Sequence, residues 1–272
     1  MIKRYVSTDI PDIRAFLLPE PDKYIQFHTG MQAVDMLYFD IWLSRARGGQ
    51  LTAVLFRSYG DFCLRVTPEA DLEELAGFIR FLPMLTTLSC DAATAEHLLP
   101  QLDQVRAVTP CAVAVQSAPG PVLPFELDYR RAGSMEDFRQ VFDLLGAAGN
   151  LEIARFEDYY YLRRNREKSW TGRTYLLTHQ DRPYATVSTA GECPGMALVA
   201  DVATHPDYRR QGLASALLTV LCDELHRVGK IPYVSYEAGG VAGFYRRLGF
   251  QELYPFLRLQ VERPPVPMRN LF

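Results

Sequence analysis

Apolar positions in the first half of the chain fall into short runs with two spacings. LTAVLFRS (51–58) and DFCLRVT (61–67) are rich in β-branched and aromatic residues around a Tyr59-Gly60 turn, which predicts paired strands. DLEELAGFIRFL (71–82) carries its apolar residues at helical spacing. LTTLSCD (85–91) reads as a further strand and ATAEHLLPQL (93–102) as a helix, giving an α/β unit. QSAPGPVLP (116–124) then places three prolines and a glycine in nine residues, which neither a helix nor a sheet interior tolerates. The expected division is a domain over 1–118, a linker over 119–124 and a second domain over 125–272.

The second half has sharper periodicity. FELDYRRA (125–132) alternates Phe125, Leu127 and Tyr129 on one face, as a half-buried strand does. Ser134 with Asp137 three residues later resembles a capping box, opening a helix whose core side holds Phe138, Val141, Phe142 and Leu145. A second helix is expected over FEDYYYLRRNRE (156–167). Three strands separated by turn residues follow: TYLLTH (174–179), PYATVSTA (183–190) and MALVADVAT (196–204), an antiparallel meander. Leu213, Leu217, Val220, Leu221 and Leu225 form the stripe of an amphipathic helix stopped near Gly229. IPYVSYE (231–237) is a strand, Val241, Phe244, Tyr245 and Leu248 mark a short helix closed by Gly249, and Leu257, Leu259 and Val261 alternate in a last strand. The predicted order is β α α β β β α β α β.

Composition narrows the function classes. With 272 residues, 48% hydrophobic and 22% charged, the chain has ordinary globular composition, and it lacks the eighteen uninterrupted apolar residues a spanning helix needs. Asp9 and Asp12 interrupt the N-terminus where a secretory signal needs an apolar stretch. Five widely spaced cysteines show no metal-ligand spacing and suit reduced thiols, so the expectation is a soluble cytoplasmic protein without a metal. A net charge of −3 gives no field that would draw nucleic acid or a membrane, which leaves small molecules as expected partners and a homodimer as an option. RRNREK (163–168) is the one basic cluster, and it reads as a solvated helix face.

Candidate chemistry concentrates in THPDYRRQGLAS (204–215), where a strand hands the chain to a helix N-terminus. Unpaired backbone N–H groups and a partial positive charge collect there and suit a phosphate. Gly212, lacking a Cβ, permits close approach of an anion to the main chain, and Arg209 and Arg210 can add charge-assisted contacts. On the loop alone, ordinary helix entry explains these letters equally well.

Arg209, Gly212 and Ala214 set between a strand and a long amphipathic helix, together with FYRRLGF (244–250), resemble the signatures of the GNAT acetyltransferase superfamily. The resemblance covers about 125–262 and implies a mixed, mostly antiparallel sheet flanked by helices. It implies that the loop Arg209, Arg210, Gln211, Gly212, Leu213, Ala214 and Ser215 holds the pyrophosphate of acetyl-CoA. It further implies that Val202, Ala203 and Thr204 at the preceding strand end pair with the pantetheine arm and supply a main-chain donor to the oxyanion. EAGGVAGFY (237–245) departs from the family in lacking the Asn commonly found a few residues before the tyrosine. Tyr245 stands at the family's frequent general acid. For the general base, Asp201 and Glu237 at the ends of adjacent strands are the candidates, acting directly or through water. His205, before a proline at a turn, reads as structural, and Cys193 has no neighbouring base to activate it. FEDYYYLRR, with Glu152, Glu157 and Asp158, falls in the helix pair that walls the family's acceptor site. The implied activity is transfer of an acetyl group to a primary amine; a non-catalytic acyl-CoA-binding module is the alternative. The smaller N-terminal α/β domain is open to three readings: a degenerate copy of the same fold, a substrate lid, or a dimerisation surface.

Overall fold

The computed structural model describes residues 1–31, 39–82, 84–120, 128–151, 153, 155–179 and 182–262. Phe125, Leu127, Glu152 and most of the expected linker lie outside the described residues. In chain order the strands and α-helices are β1 (Lys3–Arg4), α1 (Ile10–Leu17), α2 (Ile25–Gly30), β2 (Phe39–Arg45), β3 (Leu51–Ser58), β4 (Asp61–Val66), α3 (Leu72–Phe81), β5 (Thr87–Cys90), α4 (Ala92–Leu98) and β6 (Val105–Val115). They continue with β7 (Tyr129–Arg131), α5 (Met135–Ala148), α6 (Phe156–Lys168), β8 (Thr174–His179), β9 (Arg182–Cys193), β10 (Met196–Thr204), α7 (Leu213–Arg227), β11 (Ile231–Glu237), α8 (Ala242–Arg247) and β12 (Gln251–Val261). The order β α α β β β α β α β occurs twice, so the N-terminal half repeats the C-terminal fold.

Pairing repeats along with the order. β2 and β3, then β3 and β4, are antiparallel, and β4 with β5 is parallel. β8 and β9, then β9 and β10, are antiparallel, and β10 with β11 is parallel. The parallel pair in each half is joined through a helix, α3 or α7, because a parallel connection must cross over the sheet.

In space the halves exchange segments. The described residues of Met1–Pro21, Met36–Cys111 and Pro255–Phe272 form one compact unit, and those of Asp22–Asp35 and Ala112–Tyr254 the other. β6 passes from the first unit to the second at Cys111/Ala112, and β12 passes back at Tyr254/Pro255. In the first unit β12 pairs antiparallel with β5, Leu259 opposite Leu88, and both are fully buried. Its core also takes Leu75, Ala76 and Ile79 from α3 and Leu98 from α4.

The second unit has a core on each face of its sheet. On one face, Leu217, Leu218, Leu221 and Leu225 of α7 and Tyr245 of α8 pack against Tyr175, Val187, Val199 and Val234. On the other, Phe138, Val141 and Leu145 of α5 and Tyr159 of α6 cover Leu176 and Ala203. The capping box forms as expected: Ser134 Oγ accepts from the Asp137 N–H at 3.1 Å, and Asp137 Oδ2 accepts from the Ser134 N–H at 2.9 Å. α2, an early segment of the chain, belongs here too, with the Tyr233 hydroxyl donating to Asp22 beside it.

Two local expectations differ. β9 runs on through Gly191, Glu192 and Cys193, so the turn into β10 shrinks to Pro194-Gly195. Glu192, in what was expected to be a turn, instead sits in the interior, held by Arg173 (2.7 and 2.8 Å) and Lys230 (2.7 Å). The basic cluster on α6 is not a solvated face: Arg163 and Arg166 are buried.

Candidate functional site

β10 carries the irregularity on which the site is built. Ala200 pairs with Ser188 and Ala203 with Thr186, so Asp201 and Val202 together oppose the single residue Val187. Two residues against one is a β-bulge, which bends the strand and takes main-chain groups out of the ladder. Asp201 absorbs the extra residue in a left-handed conformation, φ 52°. On the other edge, β10 pairs with β11 only from Met196↔Ile231 to Val199↔Val234. Past that point, 200–204 and 235–237 are two strand ends with no shared ladder, a gap with backbone on both sides.

The chain leaves β10 through a single turn of 3-10 helix, Pro206–Tyr208, in which His205 Nδ1 accepts from the Asp207 N–H at 3.4 Å. His205 is thus a turn cap, as expected. Arg210 and Gly212 both take positive φ, 67° and 79°, so the loop folds back sharply before α7. Gly212 is the N-cap and has no side chain to satisfy the first turn. The helical ladder begins with Ala216 N–H to Gly212 O at 2.9 Å, which leaves the N–H groups of Leu213, Ala214 and Ser215 ahead of it. The first turn contains no acidic residue. A Cβ built on Gly212 would meet nothing within 4 Å, so the space beside this N-cap is open.

The equivalent corner of the first unit is chemically opposite. There Asp71 caps α3, its Oδ1 accepting from the Glu74 N–H at 2.9 Å, and Glu73 and Glu74 occupy the first turn. Asp71 takes one of the free donors there, and three carboxylates at a helix N-terminus repel an anion.

The two arginines of the loop differ. Arg209 is committed to the fold: its Nη2 donates to Ala148 O at 2.9 Å and its Nε to Thr204 O at 3.4 Å, which ties the end of α5 to the loop. Asn150 Nδ2 adds a bond to Val202 O at 3.3 Å. Arg210 is exposed at the turn itself.

Tyr245 lies on α8, stacked on Tyr236 with ring centroids 5.1 Å apart and edge-on to Phe244 and Phe250. Burial, with smaller contributions from Tyr236 and Cys222, pushes its hydroxyl up to about 12. It therefore holds its proton at neutral pH. Glu237 is exposed at the end of β11. Asp201 is not an open carboxylate: Arg163 Nη2 contacts it at 2.7 Å and the Tyr159 hydroxyl donates to it at 3.0 Å. Both partners are buried, and burial first and Asp201 second raise the Tyr159 hydroxyl well above its ordinary value. Tyr159 and Arg163 belong to the stretch expected to wall the acceptor site, and Arg163 also to the cluster expected to be solvated; their grip on Asp201 was not expected, although their four-residue spacing put them on one face of α6. Cys193 is buried, and burial raises its thiol, which is the setting of an inert cysteine. All five cysteines are free, and among the described residues no group of three His, Cys, Asp or Glu side chains could hold a metal.

Residues 170–252, which contain the bulge, the loop and α8, match the family model of the acetyltransferase (GNAT) domain. Residues 170–252 thus belong to a GNAT domain. Solved structures similar over nearly the whole chain include a GCN5-related N-acetyltransferase from Sphaerobacter thermophilus, at 19% identity, covering 98% of this chain and 96% of that one, with TM-score 0.67. A tandem GNAT protein from the clavulanic acid biosynthesis pathway is similar at 15% identity, covering 98% and 99%, with TM-score 0.62. A GNAT-family acetyltransferase from Colwellia psychrerythraea is similar at 16% identity, covering 96% and 100%, with TM-score 0.56. A search among curated proteins gives no match. At these identities the likeness to solved structures is one of fold, and the repeated element order agrees with a tandem arrangement. No helix among the described residues is long and apolar enough to cross a membrane.

Proposed function

We propose that the GNAT domain transfers an acetyl group from acetyl-CoA to a primary amine of a small acceptor by direct attack within a ternary complex. The observation that carries this reading is the N-terminus of α7, where Gly212 supplies no side-chain cap, the first turn has no acidic residue and a Cβ on Gly212 would meet nothing within 4 Å. That corner fits a pyrophosphate, since backbone N–H groups and the helix dipole both favour a bound anion. In transfer, the amine nitrogen attacks the thioester carbonyl carbon, a C–N bond forms and the C–S bond breaks. The sulfur leaves with the bonding pair and takes a proton, for which the neutral Tyr245 hydroxyl is the proposed donor. The attacking amine loses a proton to Glu237 or to water. Asp201 is already engaged by Arg163 and Tyr159, which argues against it as the acceptor of that proton. Main-chain donors of Val202 to Thr204 are proposed to meet the developing oxyanion. The five cysteines take no part.

Burial of Tyr245 in an aromatic cluster favours one competitor, a domain that binds acyl-CoA without turnover. Calorimetry with CoA, and release of free CoA from acetyl-CoA against a panel of small amines, separate the readings. The expected result is specific binding, lost at least tenfold in Gly212→Val, with turnover on at least one amine. The side chain of Gly212→Val would enter open space, so the loss comes from the left-handed φ and from shielding of the amides. Binding unchanged in that variant would sink the cradle; binding without turnover would favour the competitor.

A further inference from the structure

The bulge in β10 is held from beneath by a side-chain clamp. Asp201 sits at φ 52°, a conformation that only a few non-glycine residues, Asn and Asp foremost, adopt readily. Its carboxylate is gripped by two residues one turn apart on α6, Tyr159 and Arg163, at 3.0 and 2.7 Å. Arg163 has a second grip: its Nη1 donates to Thr189 O at 3.0 Å, and Thr189 is the β9 residue opposite Val199, where the shared ladder of β10 and β11 ends. One guanidinium therefore ties both strands at the point where the register slips. Arg163 is 8% exposed and the Asp201 side chain 12%, so little water competes for the pair.

We propose that Tyr159, Arg163 and Asp201 are positioning residues for acyl transfer: they lock the bulge so that the main-chain donors of Val202 and Ala203 point at the reacting carbonyl. The proposal rests on the reading of this domain as an acyltransferase. It removes Asp201 from the role of base and gives its carboxylate a different one. None of the three touches the thioester. They act through the backbone, and the geometry of such a donor is worth a large factor, since displacement by about 1 Å can cost on the order of 100-fold in rate.

The test uses the full chain and reads two quantities, the affinity for CoA and the turnover of acetyl-CoA. Turnover is measured with the fastest amine of the panel, or with water where no amine is faster. Tyr159→Phe removes one hydroxyl and no packing volume, and kcat is expected to fall about tenfold with CoA affinity and KM for acetyl-CoA within about twofold of the parent. Asp201→Ala is expected to lose about 100-fold in kcat. Asp201→Asn should recover at least tenfold of that loss, because an Asn tolerates the left-handed conformation and its amide oxygen still accepts from Arg163 and Tyr159. An Asp201→Asn variant as slow as Asp201→Ala would show the carboxylate to be a proton acceptor and overturn the proposal. Unchanged kcat in Tyr159→Phe would overturn it also, as would equal losses of affinity and kcat, the pattern of general unfolding. A parent protein that binds CoA but releases none from acetyl-CoA above the buffer rate fails at the earlier step, the acyltransferase reading itself.

Discussion

A phenol packed against Tyr236, Phe244 and Phe250 gains from its neutrality, and Tyr245 shows how burial sets both a stability term and a catalytic one. Its hydroxyl is raised from 10.0 to about 12, so the folded state holds the proton more tightly than the unfolded chain does. The stabilisation linked to this proton is complete below pH about 10 and disappears as the pH rises through about 12, at up to about 3 kcal/mol for two units. Denaturant melts between pH 8 and 12 are expected to show a steeper alkaline loss for the parent than for Tyr245→Phe. For catalysis the same shift means that Tyr245 has no titration limb between pH 6 and 10. Tyr245→Phe is expected to lower kcat by about 100-fold over that whole range while leaving the shape of the pH–rate profile unchanged. A limb that vanished in the variant would assign the titrating group to Tyr245 and contradict the burial argument.

At the scale of elements, α7 and its loop were the most legible part of the chain. The Leu213 to Leu225 stripe, Gly212 at the turn and the Ser134/Asp137 box each depend on residues within one or two helical turns, and local spacing carries that information. Asp201 was legible as a letter but not as a conformation, because its positive φ arises from counting β10 against β9, a comparison between residues about fourteen apart. The burial of Arg163 and Arg166 was likewise hidden. A run of charges looks solvated until the acceptors it meets, here Asp201 and the Thr189 carbonyl, are brought beneath it by the sheet. The loop arginines carry the same lesson into a measurement. Both are exposed, but Arg209 is bonded to Ala148 O and Thr204 O. Arg209→Ala is expected to weaken CoA binding severalfold by loosening the loop, with most of the loss persisting at moderate ionic strength. Arg210→Ala should weaken it modestly and flatten the salt dependence, since an exposed charge acts through a screened field. Calorimetric titrations at low and at moderate ionic strength read both effects, and an inverted pattern would reassign the two side chains.

For the whole molecule, the repeated β α α β β β α β α β order makes the chain look separable near residues 116–124, and the exchange of strands says otherwise. Hydrophobic alternation in β12 is the same whichever strand it pairs with, so the pattern of Leu257, Leu259 and Val261 could announce a strand but not its partner. β5 of the first unit takes that place, and the buried Leu259 completes a core built from Leu75, Ile79, Leu88 and Leu98. The second unit in turn includes residues 112–115 at the end of β6 and the early segment that carries α2, Asp22 and Lys23. A fragment of residues 125–272 therefore lacks Ala112 and Ala114 of its own core and keeps a β12 whose partner strand is gone. It is expected to show no cooperative thermal transition and no CoA binding, although it contains every residue of the proposed cradle. Coexpression with a fragment of residues 1–124 should restore both, because the missing strands then return in trans. A fragment 125–272 that melted cooperatively and bound CoA alone would mean that the exchanged strands contribute little to the stability of the GNAT domain.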